Sequence, residues 1–231
     1  MISKRVLTAA LALPLTLAAG ACTSFSTLRS AEVHAGPSMN FQASVSTPPG
    51  PETGWFWSFD CAEACDHPIA AVDLGFTYGA PTGLAGRPVA LGVGLNGTLP
   101  YVDGYVQLGK GARPYGVGAR VGLPVSGWLE HQLYGRYDVR VGPTTRLLFN
   151  PALFVHHGRS PNGENPGSFV AFVQGVGLLL ERENVSFTPG IALVAGRAER
   201  TSYGRQVGPV TSVFGTASLG VTLHRRRPVV R

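Results

Sequence analysis

Apolar and polar residues alternate along most of the chain from residue 32 onward. On one side of the first alternating segment lie Val33, Ala35, Met39, Phe41, Ala43 and Val45, separated by polar or small residues. Successive side chains of a β-strand point to opposite faces, so this alternation predicts strands with one apolar and one polar face. Helical spacing is not sustained beyond residue 32, and the pattern therefore predicts an all-β domain.

The alternation recurs often enough to predict ten strands. They fall at residues 32–46, 69–79, 88–98, 101–110, 114–123, 127–140, 145–157, 168–181, 184–196 and 209–224. Short links follow the second, fourth, sixth and eighth strands, and long links are predicted at 47–68, 158–167 and 197–208. An even number of antiparallel strands returns the two ends of the domain to the same side.

Composition favours a membrane location for these strands. Charged residues make up 14% of the chain, against about 25% in soluble domains. Hydrocarbon requires every backbone amide to be paired, so a membrane-spanning sheet must close on itself. The organisation resembles that of small bacterial outer-membrane barrels. The resemblance implies a closed antiparallel up-and-down transmembrane β-barrel of about ten strands (eight to ten), with both termini periplasmic. A soluble barrel, with its apolar faces turned inward, remains the alternative.

The first residues have the features of an export signal. Lys4 and Arg5 precede an apolar run over residues 6–19, which is too short to span a membrane as a helix. The sequence Ala-Gly-Ala at 19–21, directly before Cys22, resembles the bacterial lipobox. The resemblance implies a signal peptide at 1–21, an acyl group such as palmitate on Cys22, and outer-membrane lipid as a partner. Residues 22–31 would then form a linker to a barrel at 32–224. Cleavage that leaves Cys22 as an unmodified N-terminal thiol is the alternative.

Two further cysteines lie in one segment of the predicted loop at 47–68. Export to an oxidising compartment favours a disulfide between Cys61 and Cys65. A zinc site that includes His67, or a pair of free thiols, is the alternative. We predict no metal ion and no other cofactor.

The polar face of the sixth predicted strand carries charges of both signs. These charges, together with Asp73 and Arg120 on two other strands, predict a polar cluster in the lumen of the barrel. Its members are Asp73, Arg120, Glu130, Arg136, Asp138 and Arg140. Such a cluster either plugs a narrow barrel or lines a passage for small solutes. The basic tail at 225–231 belongs to an exported protein, so nucleic acid is not an expected partner. No protein partner is predicted.

Catalytic residues are not predicted. His156, Ser160 and Glu164 are of the types that hydrolases use to activate a hydroxyl, and the segment is similar to part of the outer-membrane lipid A deacylases. A polar loop is the favoured interpretation of this segment. The sequence thus predicts a lipid-anchored outer-membrane barrel with a structural or interaction role, or one that passes small solutes. An outer-membrane hydrolase acting on lipid and a soluble lipid-anchored binding barrel are the alternatives.

Overall fold

The computed structural model describes residues 28–47, 69–97, 99–123, 128–159, 166–202 and 205–224. These residues form ten strands and one short 3-10 turn at Leu84–Gly86. The strands are β1 (Gly36–Ser46), β2 (Ile69–Ala80), β3 (Val89–Asn96), β4 (Leu99–Gln107), β5 (Tyr115–Gly122), β6 (Trp128–Arg140), β7 (Thr145–Arg159), β8 (Pro166–Arg182), β9 (Val185–Ser202) and β10 (Arg205–His224).

The strands form one closed barrel. Each strand pairs antiparallel with its neighbour in sequence, and β1 pairs with β10 from Ser38 opposite His224 to Ser46 opposite Thr216. The predicted closed, antiparallel, up-and-down barrel is therefore confirmed. We call the rim at which β1 begins and β10 ends the turn rim, because residues 81–88, 108–114, 141–144 and 183–184 link strands there. The opposite rim, where β1 ends and β10 begins, is the loop rim.

The apolar face of the alternating strands is the outer wall of the barrel. The side chains of Val93, Val117 and Leu219 are 55%, 51% and 52% exposed. On the inner face of β1, Gln42 and Ser44 are buried. A soluble barrel would have the opposite arrangement, since it buries its apolar face in its interior.

The wall is much taller on one side of the barrel than on the other. Strands β3, β4 and β5 contain eight, nine and eight residues, whereas β9 and β10 contain 18 and 20. The predicted long link at 197–208 is wrong for residues 197–202 and 205–208, because β9 pairs with β10 out to Ser202 and Arg205. Of the link predicted at 158–167, residues 158–159 and 166–167 belong to β7 and β8, and the rest lies outside the described residues. Polar residues interrupt the apolar alternation there, but backbone pairing does not require an apolar face.

The strand predicted from residue 32 begins instead at Gly36. The residues before it do not continue along the wall, nor do they lead directly away from it as a linker. They enter the barrel, and the interior that they occupy is the candidate site.

Candidate functional site

Residues 28–35, which we call the inner segment, pass through the interior of the barrel. Ala31 is fully buried and Leu28 is 3% exposed. The backbone N–H of Ala31 donates to Asp138 Oδ1 on β6 at 2.9 Å, and its carbonyl accepts a hydrogen bond from Tyr105 Oη on β4 at 2.9 Å. The chain upstream of β1 therefore contacts the inner wall across the lumen from the strand to which it is joined.

Two glycines at the turn rim allow the chain to reverse direction. Gly36 has a φ of +93°, in the left-handed region that glycine adopts without a steric penalty. A Cβ atom on Gly79 would collide with the carbonyl oxygen of His34, so the inner segment crosses β2 where β2 has no side chain. The ring of His34 also stacks on that of His224 at the end of β10, with centroids 4.7 Å apart.

Leu28 lies against inner-wall glycines of β8 and β9. A Cβ atom on Gly175 would lie 2.9 Å from Leu28 Cδ2, and one on Gly177 would lie 3.1 Å from Leu28 Cδ1. A Cβ atom on Gly190 would overlap the same side chain. The absence of side chains at these three positions makes the space that Leu28 fills, which we call the glycine seat.

Polar side chains of the wall satisfy the backbone of the inner segment. Val33 N–H donates to Gln107 Oε1 at 2.9 Å, and Asn150 Nδ2 donates to the carbonyl of Arg29 at 3.0 Å. A buried backbone group without a partner costs about as much as a lost hydrogen bond. These specific bonds therefore distinguish the docked segment from a chain that merely lies in a wide lumen.

The side chain of Arg29 is the electrostatic centre of the site. Its Nη2 lies 2.8 Å from Asp73 Oδ1 and donates to Tyr101 Oη at 3.1 Å, while Nη1 lies 3.5 Å from Asp103 Oδ2. Arg120 Nη1 holds the other oxygen of Asp73 at 2.6 Å. Arg29, which belongs to neither strand, thus links Asp73 on β2 to Asp103 on β4.

A second part of the network lies on β4 and β6. Tyr134 Oη donates to Asp103 Oδ1 at 2.6 Å and accepts from Arg136 Nη2 at 3.1 Å. The guanidinium carbon of Arg136 lies 4.4 Å from the ring centroid of Tyr105 and 4.7 Å from that of Tyr134. Such cation–π contacts strengthen when the groups are desolvated, so the aromatic residues stabilise this buried arginine as well as filling space.

Nearer the turn rim, Arg146 on β7 connects the inner segment to β8. Its guanidinium group forms an ion pair with Glu32 of the inner segment and lies 3.4 Å from Glu181. Its Nη1 is also 3.9 Å from Asp138. Charge pairing therefore extends along the docked segment from Arg29 to Glu32.

The structure brings together most of the residues predicted for the polar cluster. Asp73, Arg120 and Asp138 are buried and contact the inner segment or its ion pairs. Arg136 is also buried, and Glu130 accepts from Asn96 Nδ2 at 3.3 Å. Arg140 is exposed at the end of β6, where it lies opposite Arg146 in the register, and it has no place among the buried members of the network.

Arg29, Asp103 and Arg146 are among the members of the network that the sequence analysis missed. Arg29 lies in a stretch without periodicity, for which the sequence predicts only a linker. Arg146 lies in a strand that is apolar on both faces. Asp103 lies on the same face of β4 as Tyr101 and Tyr105, opposite to the face of Val102. This alternation is the signal that could have placed Asp103 on the inner face.

The inner wall of β7–β10 above the glycine seat is apolar. The buried residues there are Ala152, Phe154, Phe169, Ala171, Val173, Ala192, Val194 and Phe214. These positions explain why the segments 145–157 and 168–181 are apolar on both faces. One face forms the outer wall, and the other packs inside the barrel.

Between the inner segment and the strands remains a cavity of about 60 Å³, bordered among others by Arg29, Glu32, Asp103, Tyr105 and Thr222. A space of this size holds a few water molecules.

The candidate hydrolase residues are only partly within the described chain. His156 faces the lumen, with Nδ1 3.9 Å from Glu130 Oε2. Ser160 and Glu164 lie outside the described residues, as do Cys22, Cys61, Cys65 and His67. Across the described ranges, no group of His, Cys, Asp and Glu side chains is arranged to hold a metal ion. The part of the chain that the structure describes also has no helix long and apolar enough to cross a membrane.

Comparison with known proteins gives matches only among solved structures. No family model and no curated protein matches the chain. Neisserial surface protein A (NspA) is similar over 84% of this chain and 99% of its own, with 8% identity and a TM-score of 0.36. A bacterial polysaccharide outer membrane secretin is similar over 84% of this chain and 100% of its own, with 12% identity and a TM-score of 0.23. At these identities and TM-scores, neither similarity bears on the function of this chain.

Proposed function

We propose that this chain is a lipid-anchored barrel of the bacterial outer membrane with a closed interior and a structural or interaction role. The observation that carries the membrane location is the outer wall. Apolar side chains such as Phe76, Leu91, Leu133 and Ile191 are more than half exposed on it, while the closed ladder leaves no sheet edge. A spanning sheet needs both features.

The orientation of the barrel in the membrane follows from the rim at which its connections and hairpins are longest. The longest connection, 22 residues between Ser46 of β1 and Ile69 of β2, joins strand ends at the loop rim, and the tall β7–β8 and β9–β10 hairpins extend on that side. Barrels of the outer membrane carry their larger connections outside the cell. The loop rim therefore faces the exterior, and the turn rim and the end of β10 face the periplasm.

The lipid anchor rests on the lipobox-like sequence before Cys22. Replacement of Cys22 by Ser removes the thiol that would be acylated, so incorporation of a radioactive fatty acid should be lost. Labelling of the Cys22→Ser variant at the wild-type level would contradict lipid attachment at this residue.

The inner segment is the reason to favour a closed barrel over one that passes solutes. Its hydrogen bonds, the packing of Leu28 in the glycine seat and the ion pairs of Arg29 hold it inside the lumen. Each contact must break before the segment can leave. A barrel closed in this way presents its rims and its wall, rather than a channel, to other molecules.

Reconstitution into planar lipid bilayers tests the closed interior. The wild-type protein should insert without producing current steps. A variant in which residues 28–35 are replaced by an equally long Gly-Ser stretch should conduct, because that stretch lacks the leucine, arginine and glutamate that hold the segment. Stable wild-type channels, with an open time comparable to that of the variant, would contradict the proposal.

A further inference from the structure

Gln174 interrupts the apolar outer wall on β8. The other outward side chains of this strand from Val170 to Leu180 are apolar, and Phe172 among them is 51% exposed. Ten residue steps of about 3.3 Å, on a strand tilted by about 40°, correspond to about 25 Å along the axis, the height of the apolar band of an outer-membrane barrel. Gln174 lies four residues from Val170 and six from Leu180, so its side chain is near the middle of that band.

The amide of Gln174 is incompletely hydrogen-bonded. Its Nε2 donates to the carbonyl of Gly175 at 3.0 Å, and within the part of the chain that the structure describes this is the one hydrogen bond of the side chain. A primary amide has two N–H donors and an acceptor oxygen. The second N–H and Oε1 of Gln174 therefore lie on a surface that faces hydrocarbon, where a polar group without a partner is unfavourable.

The outer wall differs in relief on the two sides of Gln174. On β9, the side chains of Ile191 and Leu193 project outward and are 66% and 56% exposed. On β7, Pro151 lies opposite Gln174 in the register. Beyond it on β6, Gly135 has no side chain, and a Cβ atom there would lie 3.3 Å from Cγ of Pro151. Large side chains therefore project on the β9 side of Gln174, whereas the surface on the β6–β7 side is low.

This surface is complementary to a second copy of itself. Two copies in one membrane have the same orientation, so a symmetric pair is related by a two-fold axis along the membrane normal. With the axis next to Gln174, the amides of the two copies face each other, and each can donate its second N–H to the Oε1 of the other. The same rotation brings β9 of one copy against β6 and β7 of the other. Ile191 and Leu193 then meet the low surface at Gly135 and Pro151.

We propose that this chain forms a homodimer through the outer faces of β6–β9, joined within the membrane by hydrogen bonds between the two Gln174 amides. The dimer rests on the proposed function, which supplies the membrane and the common orientation of the copies, and it makes a second copy of the chain the partner in the interaction role. Where lipid and protein are equally apolar, close packing at small residues and interchain hydrogen bonds stabilise association. The wall around Gln174 offers both.

Photo-cross-linking in living cells tests the dimer. Phe172, on the outer face of β8, is replaced by p-benzoylphenylalanine, which inserts into neighbouring C–H bonds on irradiation, and two copies with different epitope tags are co-expressed. Irradiation should give a product that carries both tags. Phe76 on β2 is the matched control, because it is also 51% exposed but lies four strands from β8 around the barrel. The same replacement at Phe76 should give no doubly tagged product.

Removal of the amide tests its part in the dimer. Gln174→Leu deletes both interchain hydrogen bonds and keeps an apolar side chain on the wall. Two hydrogen bonds between membrane-spanning segments correspond to about a sevenfold change in an association constant. The doubly tagged product formed from position 172 should therefore fall by about that factor. An unchanged yield would show that Gln174 does not join the copies and would overturn the proposed contact.

Two further results would overturn the dimer while leaving the proposed function intact. One is the lack of a doubly tagged product at position 172 in cells whose outer-membrane fraction contains the protein. The other is an equal yield at positions 172 and 76, which would indicate random collisions between barrels. A protein missing from the outer-membrane fraction would instead refute the proposed function, and the dimer together with it.

Discussion

Replacement of Arg29 by Ala removes the side chain that joins the inner segment to the acidic groups of the wall. The variant loses the 2.8 Å pair with Asp73 and the 3.5 Å contact with Asp103. Removing one partner of a buried ion pair costs about 3–5 kcal/mol. Asp73 retains Arg120 at 2.6 Å and Asp103 retains Arg136 at 3.9 Å, so we expect a loss near the lower limit, about 3 kcal/mol.

The loss should appear as easier undocking of the inner segment, because the strands keep their own ladders when the segment leaves. The backbone N–H groups of Ala31 and Val33 report on docking through their bonds to Asp138 and Gln107. A change of about 3 kcal/mol corresponds to about two orders of magnitude in an equilibrium constant. Hydrogen exchange of these two amides, measured by mass spectrometry on the protein in lipid nanodiscs, should therefore accelerate about a hundredfold.

Arg113→Ala is the matched control, since it removes the same charge from an exposed position in the link between β4 and β5. Exchange of the inner segment should not change in that variant. If the inner segment of both variants exchanges at the wild-type rate, the ion pairs of Arg29 do not hold the segment. Equal acceleration in both variants would instead indicate a general effect of net charge.

The glycine seat and the outer wall give two further predictions. A Cβ atom on Gly175 would lie 2.9 Å from Leu28, so Gly175→Ala should cost about 1–3 kcal/mol and accelerate exchange of the inner segment, whereas Gly215→Ala, which meets nothing within 4 Å, should have no effect. In a Leu28→Ala background, where the clashing side chain is gone, Gly175→Ala should cause no further acceleration; the same added acceleration in both backgrounds would refute the seat. Val93→Arg places a charge in the middle of β3 on the lipid side, which costs about 2–4 kcal/mol. The folded fraction of this variant after refolding into lipid vesicles should therefore fall. Leu84→Arg, in the turn at the rim, should insert normally. Equal insertion of the two variants would contradict a lipid-facing wall.

The strands and their faces were predictable because the buried and exposed sides of a sheet alternate with a period of two. That period identified the outward direction of Val117 and the inward direction of Asp138. The period does not indicate how far along a strand a side chain is buried. Arg140 was therefore grouped with buried residues, although it is exposed at the end of its strand.

The docked inner segment could not be predicted from periodicity. Its contacts with the wall are single hydrogen bonds and ion pairs with residues far away along the chain, 44 positions for Arg29 and Asp73 and 72 for Arg29 and Tyr101. The Gly-Pro step at 36–37 marks a turn, but it does not indicate whether the chain turns outward or into the lumen. Contacts with distant residues, such as the pairing of Arg29 with Asp73 and Asp103, determine that direction.

Lipid accessibility of two adjacent positions on β10 tests the membrane barrel most directly. Leu219 points outward and is 52% exposed, while Ser218 points inward and donates to the carbonyl of Gly190 at 3.5 Å. Single cysteines at these positions, without Cys61 and Cys65, are coupled to a small fluorophore in vesicles that contain a lipid-bound quencher. Strong quenching at position 219 and weak quenching at 218 is the predicted result, and equally weak quenching at both would contradict a membrane-spanning barrel.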